Sequence, residues 1–156
     1  MDKGVINMIM GICLNAGGFQ ASFVSGSKAA PILEAREICQ NPETADLARS
    51  ASWYDNRFTQ LITNQNPDEV IAKIHFDVKN QKGLLNHGFP LGVLGKCCHT
   101  ADLKLSLVTV QKLKSVKSFG LAKGTSTYLW IDQIKDQKPY WKDAGRISAL
   151  AATIGL

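Results

Sequence analysis

The sequence lacks the short motifs that identify several common classes of enzyme. It contains no Walker loop, no G-x-G-x-x-G and no G-x-S-x-G. It has no C-x-x-C pair, and the dipeptide Cys98-His99 stands without the further ligands that a structural zinc site needs. We therefore predict neither a metal ion nor a cofactor.

No apolar run in the sequence is long enough to cross a membrane. The most apolar stretch, Val5–Cys13, is about half the required length and is interrupted by Asn7. Asp2 and Lys3 precede it, so it also lacks the basic start of a secretory signal. We expect a buried first element in a cytoplasmic protein. Reduced thiols are then expected for the four cysteines, Cys13, Cys39, Cys97 and Cys98.

Glutamate is absent after Glu69, and the charge of the chain is unevenly distributed. Residues 1–78 carry six basic and nine acidic side chains, a net charge of −3, whereas residues 79–156 carry twelve basic and four acidic ones, a net charge of +8. A half with this much positive charge attracts polyanions.

The length of 156 residues and the 45% hydrophobic content are typical of one globular domain spanning residues 1–156. We predict a mostly helical α+β fold, with a helical pair in the N-terminal half. Short strands and a closing helix are expected in the C-terminal half.

Three helices are predicted in the N-terminal half from proline-containing start signals. The first covers Ala30–Gln40, with Pro31 in its first turn. The second follows Asn41-Pro42-Glu43 and runs to about Thr63. Its apolar stripe repeats in steps of three and four and consists of Leu47, Ala51, Tyr54, Phe58 and Leu61.

The third start signal, Asn66-Pro67-Asp68-Glu69, precedes apolar residues that suit either a helix or a strand. Val70, Ile71, Ile74 and Val78 fit a helix paired with the preceding one. Ile74, Phe76 and Val78 alternate with polar residues, as in a half-buried strand. The clear start signal favours the helix.

Glycine and proline punctuate the C-terminal half. Four glycines and Pro90 between Gly83 and Lys96 predict an irregular loop. Leu103–Leu107 alternates with polar residues and Thr125–Ile131 is rich in β-branched and aromatic residues, so both predict strands. The spacing of Ile147, Leu150, Ala151 and Ile154 predicts the closing helix.

The lysine-rich half also contains aromatic residues, a combination that favours binding of single-stranded nucleic acid. Lysines neutralise phosphates and aromatic rings stack on bases. The competing interpretation is a solvated lysine face beside aromatic core residues. Fourteen lysines against four arginines argue against base-specific contacts. The candidate binding residues are Lys104, Lys112, Lys114, Lys117, Lys123, Tyr128, Lys138, Trp141 and Lys142.

A second hypothesis makes the chain a metal-independent endoribonuclease. His87 and His99 would act as base and acid, Lys112 would stabilise the phosphorane, and Tyr128 would position the base. The order His, His, Lys, Ser126-Thr127-Tyr128 resembles that of EndoU-type endoribonucleases, a resemblance that implies RNA cleavage and covers about a quarter of the chain.

Pro67-Asp68 followed by Asp77-Val78-Lys79 resembles the PD...(D/E)xK pattern of restriction-type nucleases, which implies carboxylates that bind Mg²⁺. The favoured interpretation is structural, with Asp68 as a helix-start acid and Asp77 and Lys79 as a solvent-facing pair.

These patterns together favour a non-enzymatic, largely sequence-independent nucleic-acid-binding protein. Its acidic and basic halves suit a self-associating homo-oligomer, such as a viral or phage coat protein or nucleoprotein subunit. The ribonuclease is the first alternative. A protein-protein interaction module, such as an inhibitor, immunity protein or effector, is the second.

Overall fold

The structure, a computed structural model, describes residues 7–74, 80–134 and 142–156. In this part of the chain five strands form one mixed sheet with the order β3-β2-β1-β4-β5. The first three strands are antiparallel neighbours, whereas β4 and β5 run parallel to β1. The strands are β1 (Ile9–Asn15), β2 (Gly18–Gly26), β3 (Pro31–Gln40), β4 (Glu69–Lys73) and β5 (Lys104–Val108).

Helices cover both faces of the sheet. They are α1 (Leu47–Gln65), α2 (Gln81–Gly83), α3 (Phe89–Thr100), α4 (Val110–Lys114), α5 (Thr127–Ile131) and α6 (Asp143–Ile154). A π-helical turn, Leu84–Gly88, joins α2 to α3, and a 3₁₀ turn, Val116–Phe119, follows α4. Within the described ranges, no helix has the length and apolar character to cross a membrane.

The alternation of side chains along the strands divides the core into two parts. Met10 and Ile12 of β1 face α1 and α3, whose buried residues include Phe58 and Leu94. Ile9 and Cys13 face the other side, which α4, α5 and α6 cover. The result is a three-layer arrangement with the sheet in the middle.

The closing helix α6 packs directly on β1. A Cβ atom added to Gly11 would lie 1.9 Å from the carbonyl oxygen of Ser148 and 2.5 Å from the amide nitrogen of Ala152. The hydroxyl groups of Ser22 and Ser148 are joined by a hydrogen bond of 2.7 Å between β2 and α6. Glycine in β1 therefore sets how closely helix and sheet approach.

The predicted mostly helical fold with an N-terminal helical pair is wrong, because two of its three helices are strands. Pro31 begins the edge strand β3, a position where a missing N–H costs no ladder hydrogen bond. Asn66 caps the end of α1 with a φ of 48°. The carboxylate of Asp68 accepts a hydrogen bond from the amide of Met8 at 2.8 Å. The apparent start signal is thus an α1–β4 connection.

The strand β4 carries no clear period because both of its faces are covered. Val70 and Ala72 belong to one part of the core and Ile71 to the other. Strands buried on both faces appear as continuous apolar runs. The strand alternative concerned Ile74, Phe76 and Val78; β4 ends before Ile74, and Phe76 and Val78 lie outside the described residues, so that alternative is not tested.

Two further predictions in the C-terminal half are wrong. The predicted loop from Gly83 to Lys96 is helical, because Leu94 is buried against the core and outweighs the low helix propensity of the glycines. Thr125–Ile131 contains α5, which begins after Ser126, whose hydroxyl accepts a hydrogen bond from the amide of Leu129.

The structure confirms three of the predicted elements. The helix predicted to end near Thr63 is α1, the alternating leucines form β5, and the closing helix is α6. In each of these segments the apolar residues repeat at the spacing of a helix or a strand, so the element is visible in the sequence. This holds although α6 is buried on almost all sides and Leu107 of β5 is 49% exposed.

Candidate functional site

The carboxyl ends of the neighbouring strands β1 and β4 lie side by side at one end of the sheet. Ligands commonly bind outside the carboxyl ends of parallel strands where the strand order changes. β1 is such a point, with β4 parallel on one side and β2 antiparallel on the other. We call the polar residues gathered there, beside the start of α6, the strand-end site: Cys13, Gln20, Arg36, Lys73 and Arg146.

Cys13 and Lys73 occupy neighbouring positions at the ends of the two strands. Ile12 pairs with Ala72 in the parallel ladder, so the residues that follow them share the opposite face of the sheet. Cys13 is 3% exposed. Burial raises the pKa of Cys13 to about 11, and the charge of Lys73 partly opposes this effect. The thiol is therefore protonated at neutral pH and is a poor nucleophile.

Gln20 and Arg36 continue the polar surface across β2 and β3. Gln20 pairs with Cys13, and the Nη2 of Arg36 donates a hydrogen bond of 3.3 Å to the Oε1 of Gln20. A Cβ atom on Gly145 would lie 3.0 Å from that Nη2 and 3.1 Å from that Oε1. Glycine in the first turn of α6 thus allows the helix to rest on this polar pair.

Arg146 of α6 holds two aspartates. Its Nε and Nη2 lie 2.8 Å from the two carboxylate oxygens of Asp132, and its Nη1 lies 3.0 Å from Asp143. The hydrogen bonds to Asp132 are the main reason that the pKa of Arg146 is raised. Bidentate pairs of this kind are strong and directional. Both carboxylates are therefore already bound by a protein cation.

Tyr128 on α5 lies close enough to the strand-end site for charged groups there to affect its pKa. Burial is the main cause that raises the pKa of Tyr128, followed by the negative charge of Asp143 and by that of the Cys13 thiolate, which forms only in alkaline solution, while Arg146 lowers it. The ammonium group of Lys114 lies 5.5 Å from the centre of the Tyr128 ring, a distance at which a cation is attracted to an aromatic face.

The π-helical turn lies beside Lys73. Burial lowers the pKa of His87, and the charge of Lys73 lowers it further, so this imidazole is neutral at pH 7. Leu84 and Leu85 in the same turn are 53% and 42% exposed. π-helical turns are rare and are often found at functional sites.

The described residues do not fit a divalent metal ion. Mg²⁺ requires carboxylate oxygens. In residues 7–74, 80–134 and 142–156, no three His, Cys, Asp or Glu side chains are grouped so that they could hold a metal. At the strand-end site the two aspartates are bound to Arg146, and Lys73 brings another positive charge.

A second polar cluster lies between α1 and α3. The Sγ of Cys97 lies 3.1 Å from the Oδ1 of Asp55, and the Nζ of Lys96 lies 3.2 Å from the same carboxylate. Burial, and after it the hydrogen bond to Asp55, raises the pKa of Cys97 to about 11. The thiol is a proton donor to the carboxylate, so this cluster joins two helices rather than activating a nucleophile.

The structure does not bring together the predicted ribonuclease residues. His87 and His99 lie in one helical run from Gln81 to Thr100 and are twelve residues apart, about 18 Å along its axis. Lys112 lies on α4, and its amide nitrogen donates a hydrogen bond to the Thr109 hydroxyl. His87 instead belongs beside the strand-end site. The resemblance to EndoU-type enzymes is therefore one of order along the chain and not of position in space.

The predicted nucleic-acid-binding residues lie at several separate places in the fold, with Tyr128 on α5 beside Lys114. Lys104 pairs with Glu69 at 3.4 Å. Lys112, Lys114, Lys117 and Lys123 are exposed between α4 and α5, and no ion pair joins them to an acid in the described parts of the chain. We call these four residues the lysine ridge. Lys142 is exposed before α6, whereas Lys138 and Trp141, like Asp77 and Lys79, lie outside the described residues.

Residues missed by the sequence analysis are Cys13, Gln20, Arg36, Lys73 and Arg146. They are scattered over 134 positions of the chain, and only the order of the strands brings them to one edge. The available signal was the apolar stretch of sequence that ends at Cys13, ahead of Gly17-Gly18.

Three solved structures are similar to this chain over nearly its whole length. One is Thermus thermophilus RuvC in complex with a Holliday junction substrate, at 14% identity and a TM-score of 0.74, covering 95% of this chain and 90% of that one. Another structure of Thermus thermophilus RuvC has 15% identity and a TM-score of 0.75, covering 94% and 92%. The yeast mitochondrial Holliday junction resolvase Ydc2 has 14% identity and a TM-score of 0.69, covering 96% and 77%. No protein-family model matches the chain, and no curated protein matches it.

These similarities establish an RNase H-like α/β fold. They overturn the interpretation of the chain as a non-enzymatic viral coat protein or nucleoprotein subunit, because the architecture is the one found in Holliday junction resolvases. That interpretation depended on net charge and on a helical fold, and the helical fold is absent.

Proposed function

We propose that this protein binds branched DNA, specifically a four-way junction. The observation that carries the proposal is the shared fold, which covers 94% to 96% of the chain in the comparisons with RuvC and Ydc2. A fold is a scaffold on which different functions are built, so the chemistry of the surface must also fit DNA.

The lysine ridge supports the proposal by its charge and position. Its four ammonium groups lie on the α4–α5 side of the sheet, the side on which α6 packs and the strand-end site is found. Exposed lysines bind DNA by neutralising phosphates, which gives an affinity that falls steeply with salt. We propose Lys112, Lys114, Lys117 and Lys123 as phosphate contacts, with Tyr128 beneath Lys114.

The small number of arginines supports recognition of shape rather than of base sequence. Arginine makes the commonest specific base contact, whereas lysine contacts to phosphate position a protein without reading bases. A junction differs from a linear duplex in the path of its phosphates. A lysine-rich surface of fixed shape can therefore prefer a junction without preferring a sequence.

The proposed complex contains two copies of the chain. A four-way junction has approximate two-fold symmetry, and two-fold symmetric DNA is matched by two-fold symmetric protein dimers. Each copy would place one strand-end site on one of two equivalent strands. Sedimentation of the protein with and without the junction measures this stoichiometry, and a single copy per junction would contradict it.

Fluorescence anisotropy with labelled DNA tests the binding proposal. We expect the junction to bind at least about tenfold more tightly than a linear duplex of the same sequence, because more phosphates lie within reach of each dimer. The single-stranded preference suggested by the sequence is tested with an unpaired strand as competitor. Equal affinity for junction and duplex, or no binding to either, would contradict the proposal.

A charge-reversal double variant tests the lysine ridge, with a single variant of a distant lysine as its control. Lys114→Glu with Lys117→Glu removes two proposed phosphate contacts, so the slope of log K against log salt should become shallower by about two. Lys28→Glu alters an exposed lysine in the β2–β3 turn, at the end of the strands opposite the strand-end site. It should change the slope much less.

A further inference from the structure

We infer that the ammonium group of Lys73 binds a DNA phosphate directly at the strand-end site, and that no divalent cation takes part in binding there. This inference rests on the proposed function and names the ligand of that site. It also separates the chain from phosphodiester-cleaving enzymes that clamp the reacting phosphate with metal ions.

The position of Lys73 places its charge at the centre of the site. It follows Ala72 at the end of β4, on the face that α6 covers, beside Cys13 on the neighbouring strand. Its charge acts on Cys13 on one side and on His87 of the π-helical turn on the other. Neither group is negatively charged at neutral pH, so neither neutralises Lys73.

Lys73 differs from two other lysines in the described residues, Lys96 and Lys104, in having no described carboxylate at ion-pair distance. Lys96 and Lys104 each have a carboxylate within 3.4 Å. Lys73 is half-buried, and within the described ranges no acid lies at ion-pair distance from it. A half-buried cation without an opposite charge is costly, and a bound phosphate would offset that cost.

Neighbouring groups favour an anion rather than a metal ion. Arg36 adds a second positive charge through its contact with Gln20, and α6 begins beside them with the positive end of its dipole. The two aspartates nearby are held by Arg146. A divalent cation would have to displace Arg146 and to approach Lys73 and Arg36, against the repulsion of both.

Binding of the labelled junction in EDTA and in Mg²⁺ tests this inference. Wild-type protein should bind equally well in both. Lys73→Ala should weaken binding about tenfold and make the salt slope shallower by about one, as expected for one lost phosphate contact. Lys73→Arg should retain most of the affinity because it keeps the charge. Lys28→Ala, at the opposite edge, should bind as the wild type does.

Several results would overturn the inference. These are loss of binding in EDTA, equal affinities of Lys73→Ala and Lys28→Ala when thermal unfolding shows both folded, and cleavage of the junction that requires Mg²⁺ and is lost in Cys13→Ala. A Mn²⁺ titration of the free protein by electron paramagnetic resonance gives a readout without DNA. A Mn²⁺ site that Cys13→Ala removes would also overturn it. If wild-type protein binds no DNA, the proposed function fails as well, whereas the other results leave it standing.

Discussion

At the scale of single residues, the molecule is distinguished by thiols that are kept protonated. Cys13, Cys97 and Cys98 are almost fully buried, and burial raises the pKa of each to about 11. An unfolded thiol has a pKa near 8.5. The folded state therefore binds protons on these sulfurs that the unfolded state releases in mildly alkaline solution.

This difference predicts how stability depends on pH. Because the folded pKa is raised, the stabilising contribution of Cys13 is complete below about pH 8.5 and is lost as the pH rises to about 11. Urea unfolding at pH 7.5 and at pH 10.5 measures the fall in free energy of unfolding. Cys13→Ala should reduce this fall by roughly 2 kcal/mol. An equally steep fall in the variant would show that Cys13 is not a source of the pH dependence.

At the scale of elements, the contact between α6 and β1 decides how the strand-end site is assembled. Gly11 lies against the backbone of α6, and Gly145 lies against Arg36 and Gln20. These two close approaches bring the start of α6 to the carboxyl ends of β1 and β4. A larger residue at Gly11 would push the helix away from the sheet, whereas one at Gly145 would displace the side-chain ends of Arg36 and Gln20.

We expect Gly11→Ala to lower the free energy of unfolding by roughly 3 kcal/mol, because the new Cβ would overlap backbone atoms that cannot rotate aside. Gly92→Ala is the matched control. It lies in α3, a Cβ there has no other atom within 4 Å, and alanine should stabilise that helix by up to about 1 kcal/mol. Denaturant titration measures both. A Gly11→Ala protein as stable as wild type would contradict this account of the helix–sheet contact.

At the scale of the whole molecule, the last helix of the chain packs on the sheet that contains the first strand. α6 covers β1, β2 and β4, and its residues Ile147, Leu150 and Ala151 belong to the same part of the core as Ile9 and Ile71. Contacts between the two ends of the chain are therefore needed to close the face of the sheet that α6 covers, whereas α1 and α3 cover the other face.

Shortening the chain tests this dependence. Protein ending at Ile134 should lack a cooperative thermal transition, because Ile9, Val24 and Ile71 lose the helix that covers them. Leu150→Ala in the full chain should lower the free energy of unfolding by about 2–5 kcal/mol while retaining a single transition. Calorimetry distinguishes the two. A cooperative transition in the shortened protein would show that α6 is dispensable for folding.

Elements whose apolar residues repeat at a regular helical or strand spacing could be predicted from the sequence, and those without such a repeat could not. The stripe from Leu47 to Leu61, the alternating leucines of β5 and the closing helix each show their period directly. β4 shows none because both its faces are buried. In β3, Pro31 was interpreted as a first-turn helix residue, and the exposure of Ile32 and Ile38 on an edge strand left no alternation of apolar and polar residues to indicate a strand.

The candidate site depended on tertiary structure to a greater degree. His87 and His99 appeared as a pair because they flank one segment of sequence, but that segment is a helix and holds them about 18 Å apart. Lys73 and Cys13 are sixty positions apart in the sequence and are neighbours in the sheet. A parallel pair of strands joins residues distant in the chain, so no local pattern reveals it.

The amino-acid sequence alone determined the charge of this protein, its lysine content and the elements whose apolar residues repeat at a regular spacing. These properties depend on composition or on residues within two helical turns of one another. The tertiary structure alone decided which cations meet at the carboxyl ends of β1 and β4 and which carboxylates Arg146 holds. The physical reason is that the pairing of β1 with β4 and the packing of α6 on Gly11 join segments far apart in the chain, which no local pattern of residues encodes.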